Sequence, residues 1–342
     1  MSTNGDSQTA AGALASVVGK RLSALALGTA AYRPEEQDRR FRLIDDFLEY
    51  GGTVIDTGRQ YGQSENVVGN WLASRSVRDE VVIVTKCGHG SHSLPENIDE
   101  VVTDELAESL DCLKTDYVDI YMLHRDNRSV PVSEVIDRLN VEVKRGRVRA
   151  LGASNWSYDR VQSANDYAMM RGLAGFSIVS NNLSLAVPTE PFFKGLVSTD
   201  EAGERWHQET GIPLLSWSAQ ARGFFTGRFT PAMRDRVEEI EDSFTRRMVE
   251  VYCTEKNFER ARRAQTLAAT KGDCSAVQIA LAWVLYRPFA VIPVVGPHTP
   301  EELSQCAEAT RLSLTEAEIE WLGLRSEWEL RGPTPREEKL SR

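Results

Sequence analysis

Eight short apolar runs, each followed by a stretch with helical periodicity, constrain this 342-residue chain more than any other feature of it. The runs are RLSALALG (21–28), GTVIDT (52–57), EVVIVTK (80–86), DYVDIYMLH (116–124), RVRALGAS (147–154), GFSIVSNN (175–182), IPLLSWS (212–218) and FAVIPVVG (289–296). In EEQDRRFRLIDDFLEYGG, Phe41, Ile44, Phe47 and Leu48 share a helical face, and Gly51-Gly52 supplies a left-handed stop. In PENIDEVVTDELAESLDCL, Ile98, Val102, Leu106, Leu110 and Leu113 recur at helical spacing, and Pro95 suits a first turn. Parallel strands need such crossovers, so eight units predict a single-domain α/β fold, a closed (β/α)8 TIM barrel with long loops at the C-terminal face of the strands. The alternative is an open doubly wound sheet. Against it, the first run is followed by GTAAYR and not by a G-x-G-x-x-G turn opening a helix.

The boundaries follow from composition. Residues 1–20 are small and polar around an Ala-rich middle and are expected to be disordered; residues 21–325 form the barrel, and 326–342 a tail with few apolar residues. Lys20 and Arg21 follow the apolar stretch instead of preceding it, the reverse of a secretory leader. No apolar run approaches the ~20 residues of a membrane span, and VQIALAWVLYRP is broken by Gln278 and Arg287. A net charge of -10 argues against a nucleic-acid partner. Five cysteines, odd in number and without a C-x-x-C pair, read as reduced thiols of a cytoplasmic protein. Two segments exceed ordinary loop length, 183–199 and 219–252, and both belong on the face where a barrel keeps its active site.

Polar clusters end several of the apolar runs: DTGRQYGQSE from Asp56, Thr85-Lys86, His124, and ASN from Ala153. Asp56, Lys86, His124 and Ser154 are separated by 30, 38 and 30 residues, so all four belong at the same ends of successive strands. A lysine there needs a counter-ion, and Asp56 on the neighbouring strand provides it. A phenol beside that ammonium is expected to lose its proton more readily than the ordinary value of about 10 allows, which makes Tyr61 a general acid. His124 donates a hydrogen bond to the oxygen that Tyr61 protonates. This is chemistry for reducing a carbonyl. Each residue alone has a plainer reading: Lys86 as a surface lysine, Asp56 as a helix cap, Tyr61 as a packing residue on a loop closed by Ser64 capping the next helix. His89 and His92 invite a metal site, but no third ligand clusters with them, so none is assigned.

On Asp56-Thr57, YGQSE from Tyr61, Thr85-Lys86 and DYVDIYMLH, the chain resembles the aldo-keto reductase superfamily from about Leu22 to Leu322. The resemblance implies a barrel that binds NADP(H) or NAD(H) in extended form, with Tyr61 as proton donor and Asp56, Lys86 and His124 in support. It also implies that Gly28 and Thr29 line the cofactor cleft, that Ser154 and Asn155 hold the nicotinamide carboxamide, and that Trp217 lies under the nicotinamide ring. Ser218, Ala219, Gln220, Arg222 and Gly223 resemble the loop that meets the pyrophosphate. Gly296, His298 and Glu302 resemble the adenosine end. Asn182 stands where many relatives carry Gln, Cys306 where they carry Asn, and Glu302 where members preferring NADPH carry Arg. A carboxylate at Glu302 repels a 2′-phosphate, so weakened NADP preference, with NAD use, is expected. Tyr32, Arg125 and Trp156 are the candidate contacts to a small-molecule substrate, an aldehyde, ketone or sugar or the corresponding alcohol. Two other functions share this sequence pattern: a cofactor-sensing regulatory subunit of the same fold, and a barrel isomerase or epimerase without nicotinamide. Substrate, reaction direction and oligomeric state are open at this point.

Overall fold

The computed structural model describes residues 12–326. Strands β1 Ala26–Gly28, β2 Val54–Asp56, β3 Val82–Cys87, β4 Val118–Leu123, β5 Val148–Ser154, β6 Phe176–Ser180, β7 Leu214–Ser216 and β8 Val291–Val295 form a closed parallel barrel in sequence order. Ala26 pairs with Val294 and Leu27 with Val295, so β1 and β8 leave no edge. The (β/α)8 barrel stands, and the open-sheet alternative is excluded. Around it run α2 Gln37–Glu49, α3 Ser64–Arg75, α4 Ile98–Leu113, α5 Val132–Lys144, α6 Tyr158–Arg171 and α7 Glu201–Thr210. After β7 come α8 Pro231–Asp235, α9 Ser243–Tyr252, α10 Glu255–Lys271 and α11 Ala276–Leu285, and after β8 come α12 Pro300–Ala309 and α13 Glu316–Leu322.

The helices form where their apolar spacing places them. In α2, Leu43, Ile44 and Phe47 are buried, and Phe41 and Leu48 pack at the margin. Its end is a left-handed Gly51, with Gly51 N–H on Leu48 O at 2.8 Å and Gly52 N–H on Phe47 O at 2.8 Å. Ile98, Val102, Leu106 and Leu113 are buried along α4. Pro95 is not in its first turn: the cap residue is Asn97, and Pro95 lies before it. Where α3 crosses α4, Gly69 permits contact at backbone distance, because a Cβ there would sit 2.0 Å from Cys112 O and 2.7 Å from Leu113 Cα. Backbone cannot swing aside as a side chain does. Gly69→Ala is therefore expected to destabilise the fold by about 1–3 kcal/mol, the usual penalty of overpacking, measured by urea unfolding.

Strand alternation decides what enters the barrel. Val54, Val82, Val84, Ile120, Met122, Ala150 and Ile178 form the interior cluster. Counting on by two from these inward positions reaches Asp56, Lys86, His124 and, from Ala150, Ser154. The register that fills the lower barrel with aliphatic groups thus turns four polar side chains inward at its upper rim.

The lower end is closed by residues that were expected to be disordered. Residues 12–18 are helical (α1), and Leu14 and Val18 are buried against Ala26, Val54 and Val82. Arg149 donates to Val18 O at 2.7 Å, and Lys20 meets Asp119 at 2.8 Å, which fixes the plug. Residues 1–11 and the tail from 327 onward lie outside the described residues. Of the two long segments, 183–199 has no helix or long strand. The other is built from short helices: two 3-10 turns, Ala221–Thr226 and Val237–Glu239, with α8 and α9. The segments are tied together by Thr189 N–H on Val251 O at 3.0 Å and Arg247 Nε on Phe192 O at 3.0 Å.

Candidate active site

At the upper rim Lys86 Nζ lies 2.5 Å from Asp56 Oδ1 and donates to Thr57 O at 2.8 Å. Both charges are buried. The ammonium is 5.1 Å from the centre of the Tyr61 ring, and the His124 ring meets that of Tyr61 edge-on at 5.7 Å. All four residues face one cavity of about 1100 Å³. Tyr61 comes from the turn between β2 and α3, and that turn is pinned by Ser64. Its hydroxyl donates to Thr29 O at 2.8 Å and is shared with Thr29 Oγ1 at 2.7 Å and Thr57 Oγ1 at 3.1 Å. The expectation that Ser64 caps α3 is thereby corrected. The helix begins at Ser64 itself, without a side-chain cap, and the hydroxyl bonds the β1 and β2 loops instead.

The electrostatics also correct one expectation. Burial pushes the Tyr61 phenol above its ordinary range; Lys86, as a charge and as a hydrogen-bonding partner, pulls it down but does not win. Tyr61 therefore holds its proton at neutral pH. Burial alone would strip Lys86 of its charge, yet Asp56 and Tyr61 outweigh it and keep the ammonium above the usual lysine range. Burial pushes Asp56 up against the pull of Lys86, with a net upward direction. Burial, reinforced by Lys86, Arg125 and His89, holds His124 well below the normal imidazole range, so it is neutral. A neutral ring carries one N–H to donate. Its Nδ1 is buried and has no partner among the described residues.

The cavity wall includes many of the residues expected for cofactor and substrate: Gly28, Tyr32, Arg125, Ser154, Asn155, Trp217, Ser218, Gln220, Arg222, Gly223, Gly296, His298 and Glu302. Four others stand behind it. Thr29 bonds Asp56 O, and Ala219 is fully buried. Asn182 gives its amide to Trp217 O at 2.9 Å. Trp156, expected as a substrate contact, is fully buried edge-on to Phe176 and donates to Arg125 O at 3.0 Å. Asn155, the residue before it, holds left-handed backbone (φ 60). Asn155 spends its own amide on His124 O, Ser154 Oγ and Val197 N. Gly28 has a packing reason besides, since a Cβ would lie 2.8 Å from Val294 Cγ1.

Several wall residues were not foreseen: Arg40, His89, Phe193, Leu196, Arg228 and Phe244. The length of segments 183–199 and 219–252 signalled Phe193, Leu196, Arg228 and Phe244 as a group. His89, whose ring lies 4.9 Å from that of His124, was signalled only by its place after β3. Arg40 sits on the buried face of α2, and its signal was the spacing of four and seven residues to Ile44 and Phe47. Among the described residues no group of three His, Cys, Asp or Glu converges as a metal site, and no helix is long and apolar enough to cross a membrane.

The wall suits an extended anionic cofactor with one flat end. Trp217 presents a half-buried ring near the four catalytic candidates, and Arg222 and Arg228 lie beside Gly223 on the same wall. Arg222 is without a carboxylate partner among the described residues, and its Nε is unbonded. Ser218, Ala221 and Arg222 all hold left-handed backbone, a strain of about 1–2 kcal/mol each that folded chains retain chiefly at binding sites.

A parallel barrel whose upper rim carries a buried Asp–Lys pair, a phenol and a neutral imidazole has the layout of an oxidoreductase that handles carbonyls. The chain belongs to the Aldo/keto reductase family, whose profile matches residues 24–322. It is similar to a norsolorinic acid reductase of Aspergillus flavus, 31% identical over 325 residues, covering 90% of this chain and 78% of the relative. An aryl-alcohol dehydrogenase of Pestalotiopsis microspora is 29% identical over 307 residues, covering 83% and 71%. The fold matches a crystal structure of a thermostable aldo-keto reductase in complex with the inhibitor epalrestat at a TM-score of 0.65 and 21% identity, covering 90% of this chain and 97% of that one. The protein is an oxidoreductase of this family.

Proposed function

We propose that the protein exchanges a hydride between a nicotinamide dinucleotide and a carbonyl or alcohol substrate, with Tyr61 as the acid and base. The observation that carries this reading is the placing of Tyr61 between Lys86 and His124 inside one cavity. The bound nicotinamide supplies or accepts the hydride. In reduction Tyr61 gives its proton to the substrate oxygen, and His124 donates its N–H to the same oxygen as negative charge develops there. Lys86, held charged by Asp56, steadies the phenolate left behind. The wall formed by Phe193, Leu196, Phe244 and Tyr32 favours an aromatic carbonyl over a sugar. The name of the aryl-alcohol dehydrogenase relative points the same way.

The test is turnover of a panel of aromatic aldehydes, with sugars for comparison, followed by the absorbance of reduced nicotinamide, together with fluorescence titration of NADH and NADPH. Absence of cofactor binding removes the reading. Glu302 lines the cavity and accepts His298 N–H at 2.6 Å, while Arg39 donates to His298 O at 2.5 Å. The carboxylate at that end weakens the hold on a cofactor that carries a 2′-phosphate. NADH should therefore turn over comparably to NADPH, and Glu302→Arg should shift the kcat/KM ratio towards NADPH by about tenfold, the scale of reversing one exposed charge. A strong NADPH preference in the unmodified protein rejects this choice of cofactor.

A further inference from the structure

Four arginines of the described residues are buried: Arg40, Arg125, Arg263 and Arg287. Three of them face a carboxylate. Arg40 meets Glu36 at 2.6 Å, Arg263 meets Glu259 at 2.6 Å, and Arg287 has Glu204 at 3.7 Å. Arg125 has none among the described residues, although the chain carries 50 acidic residues. Its neighbour Asp126 is taken by Arg160 at 3.2 Å. A guanidinium removed from water without a counter-charge is unfavourable by several kcal/mol, so its persistence calls for an anion from outside the chain.

The surroundings say where that anion would lie. Arg125 is 4% exposed, directly follows His124, and faces the same cavity as Tyr61 and Lys86. Two of its N–H groups are held in place, one by His124 O at 2.9 Å and one by His89 Nε2 at 3.2 Å. Its Nε is buried and unbonded. Segment 183–199 closes over it, since a Cβ on Gly195 would lie 3.6 Å from Arg125 Cδ, and Phe193 and Leu196 continue that segment along the cavity wall. Arg222 also lacks a carboxylate, but it lies beside Gly223 and Arg228, on the wall assigned above to the cofactor.

We propose that Arg125 receives a carboxylate carried by the substrate, so that the preferred substrate joins a carbonyl or alcohol group to an anionic carboxylate on an apolar, aromatic body. A guanidinium offers a planar fork of donors that matches a carboxylate in two parallel hydrogen bonds. The fixed His124–Arg125 step then holds the far end of the substrate while the carbonyl lies against Tyr61 and His124. The inference rests on the hydride-transfer reading of the same cavity.

The comparison that decides it is between para-formylbenzoate and para-formylbenzamide, which share shape and differ in charge. Their kcat/KM values are measured with the unmodified protein, Arg125→Gln and Arg125→Lys. Benzoate and benzamide are titrated calorimetrically into the protein with cofactor present. The carboxylate should be preferred at least about tenfold in both measurements, as expected of a charge-assisted hydrogen bond. The preference should fall towards unity in Arg125→Gln and return in part in Arg125→Lys. Equal values for acid and amide in the unmodified protein overturn the proposal, as does an unchanged ratio in Arg125→Gln. Should Arg125→Gln fail to fold, the unmodified protein and Arg125→Lys decide alone. Should neither aldehyde turn over, the hydride-transfer reading falls, while the benzoate titration still reports on Arg125.

Discussion

Replacing Tyr61 by Phe should lower turnover at least about 100-fold while leaving cofactor affinity nearly unchanged, since a positioned general acid contributes on that scale. The ring is conserved by the change, so its edge contact with His124 and its place 5.1 Å from Lys86 survive; only the hydroxyl is lost. Fluorescence titration of the cofactor and steady-state kinetics separate the two effects. A loss confined to affinity would move Tyr61 from chemistry to binding, and unchanged turnover would remove it from the mechanism.

Lys86→Met should act on both stability and the pH profile. It leaves Asp56 buried with no counter-ion, a change that destabilises by about 3–5 kcal/mol when one member of a buried pair is removed. The double variant Asp56→Asn, Lys86→Met should recover much of that loss, because no unpaired charge then remains. The profile behaves differently. Lys86 pulls the Tyr61 phenol down against the upward push of burial, so its removal raises the phenol further. Reduction needs the protonated phenol and fails as pH rises past its pKa; in Lys86→Met this alkaline limb should move to higher pH. Oxidation needs the phenolate, so its rising limb should move the same way. The double variant should regain stability and keep a smaller displacement, because Asp56, which also pushes the phenol up, is neutralised with Lys86. A profile unmoved in both variants would sink the coupling between Lys86 and Tyr61.

Much of the fold was legible because strand and helix have different periods. Val82, Val84 and Lys86 alternate with Ile83, Thr85 and Cys87, and that alternation alone turns Lys86 inward once the barrel closes. Asp56, Lys86 and His124 were legible for the same reason, each at the end of an apolar run in the inward phase; Tyr61 lies on the turn after β2 and was legible from its chemistry beside Lys86. Other features depended on three-dimensional surroundings that residue order does not carry. Two anchors one helical turn apart, Leu14 and Val18, in an Ala- and Ser-rich stretch resemble a disordered start until a barrel floor is there to receive them. Trp156 follows a polar wall residue and invites a place in the pocket, but it packs behind the wall against Phe176 and bonds Arg125 O. The direction of the Tyr61 shift required the depth of its burial as well as its neighbours. Arg40 reaches the cavity from the apolar face of α2, four residues before Ile44 and seven before Phe47, a spacing that marks a charge at a core position.

The proton-handling groups ride on strand ends and on one turn stapled by Ser64, whereas Phe193, Leu196 and Phe244 come from two loop segments outside the strands, cross-linked by Arg247 on Phe192 O and Thr189 on Val251 O. Mutation can therefore reshape the roof without disturbing the register that aims Lys86 and His124. A chain built this way can diverge in what it accepts while inheriting its chemistry intact, and its evolutionary record should show fast change at the roof over a slowly changing rim.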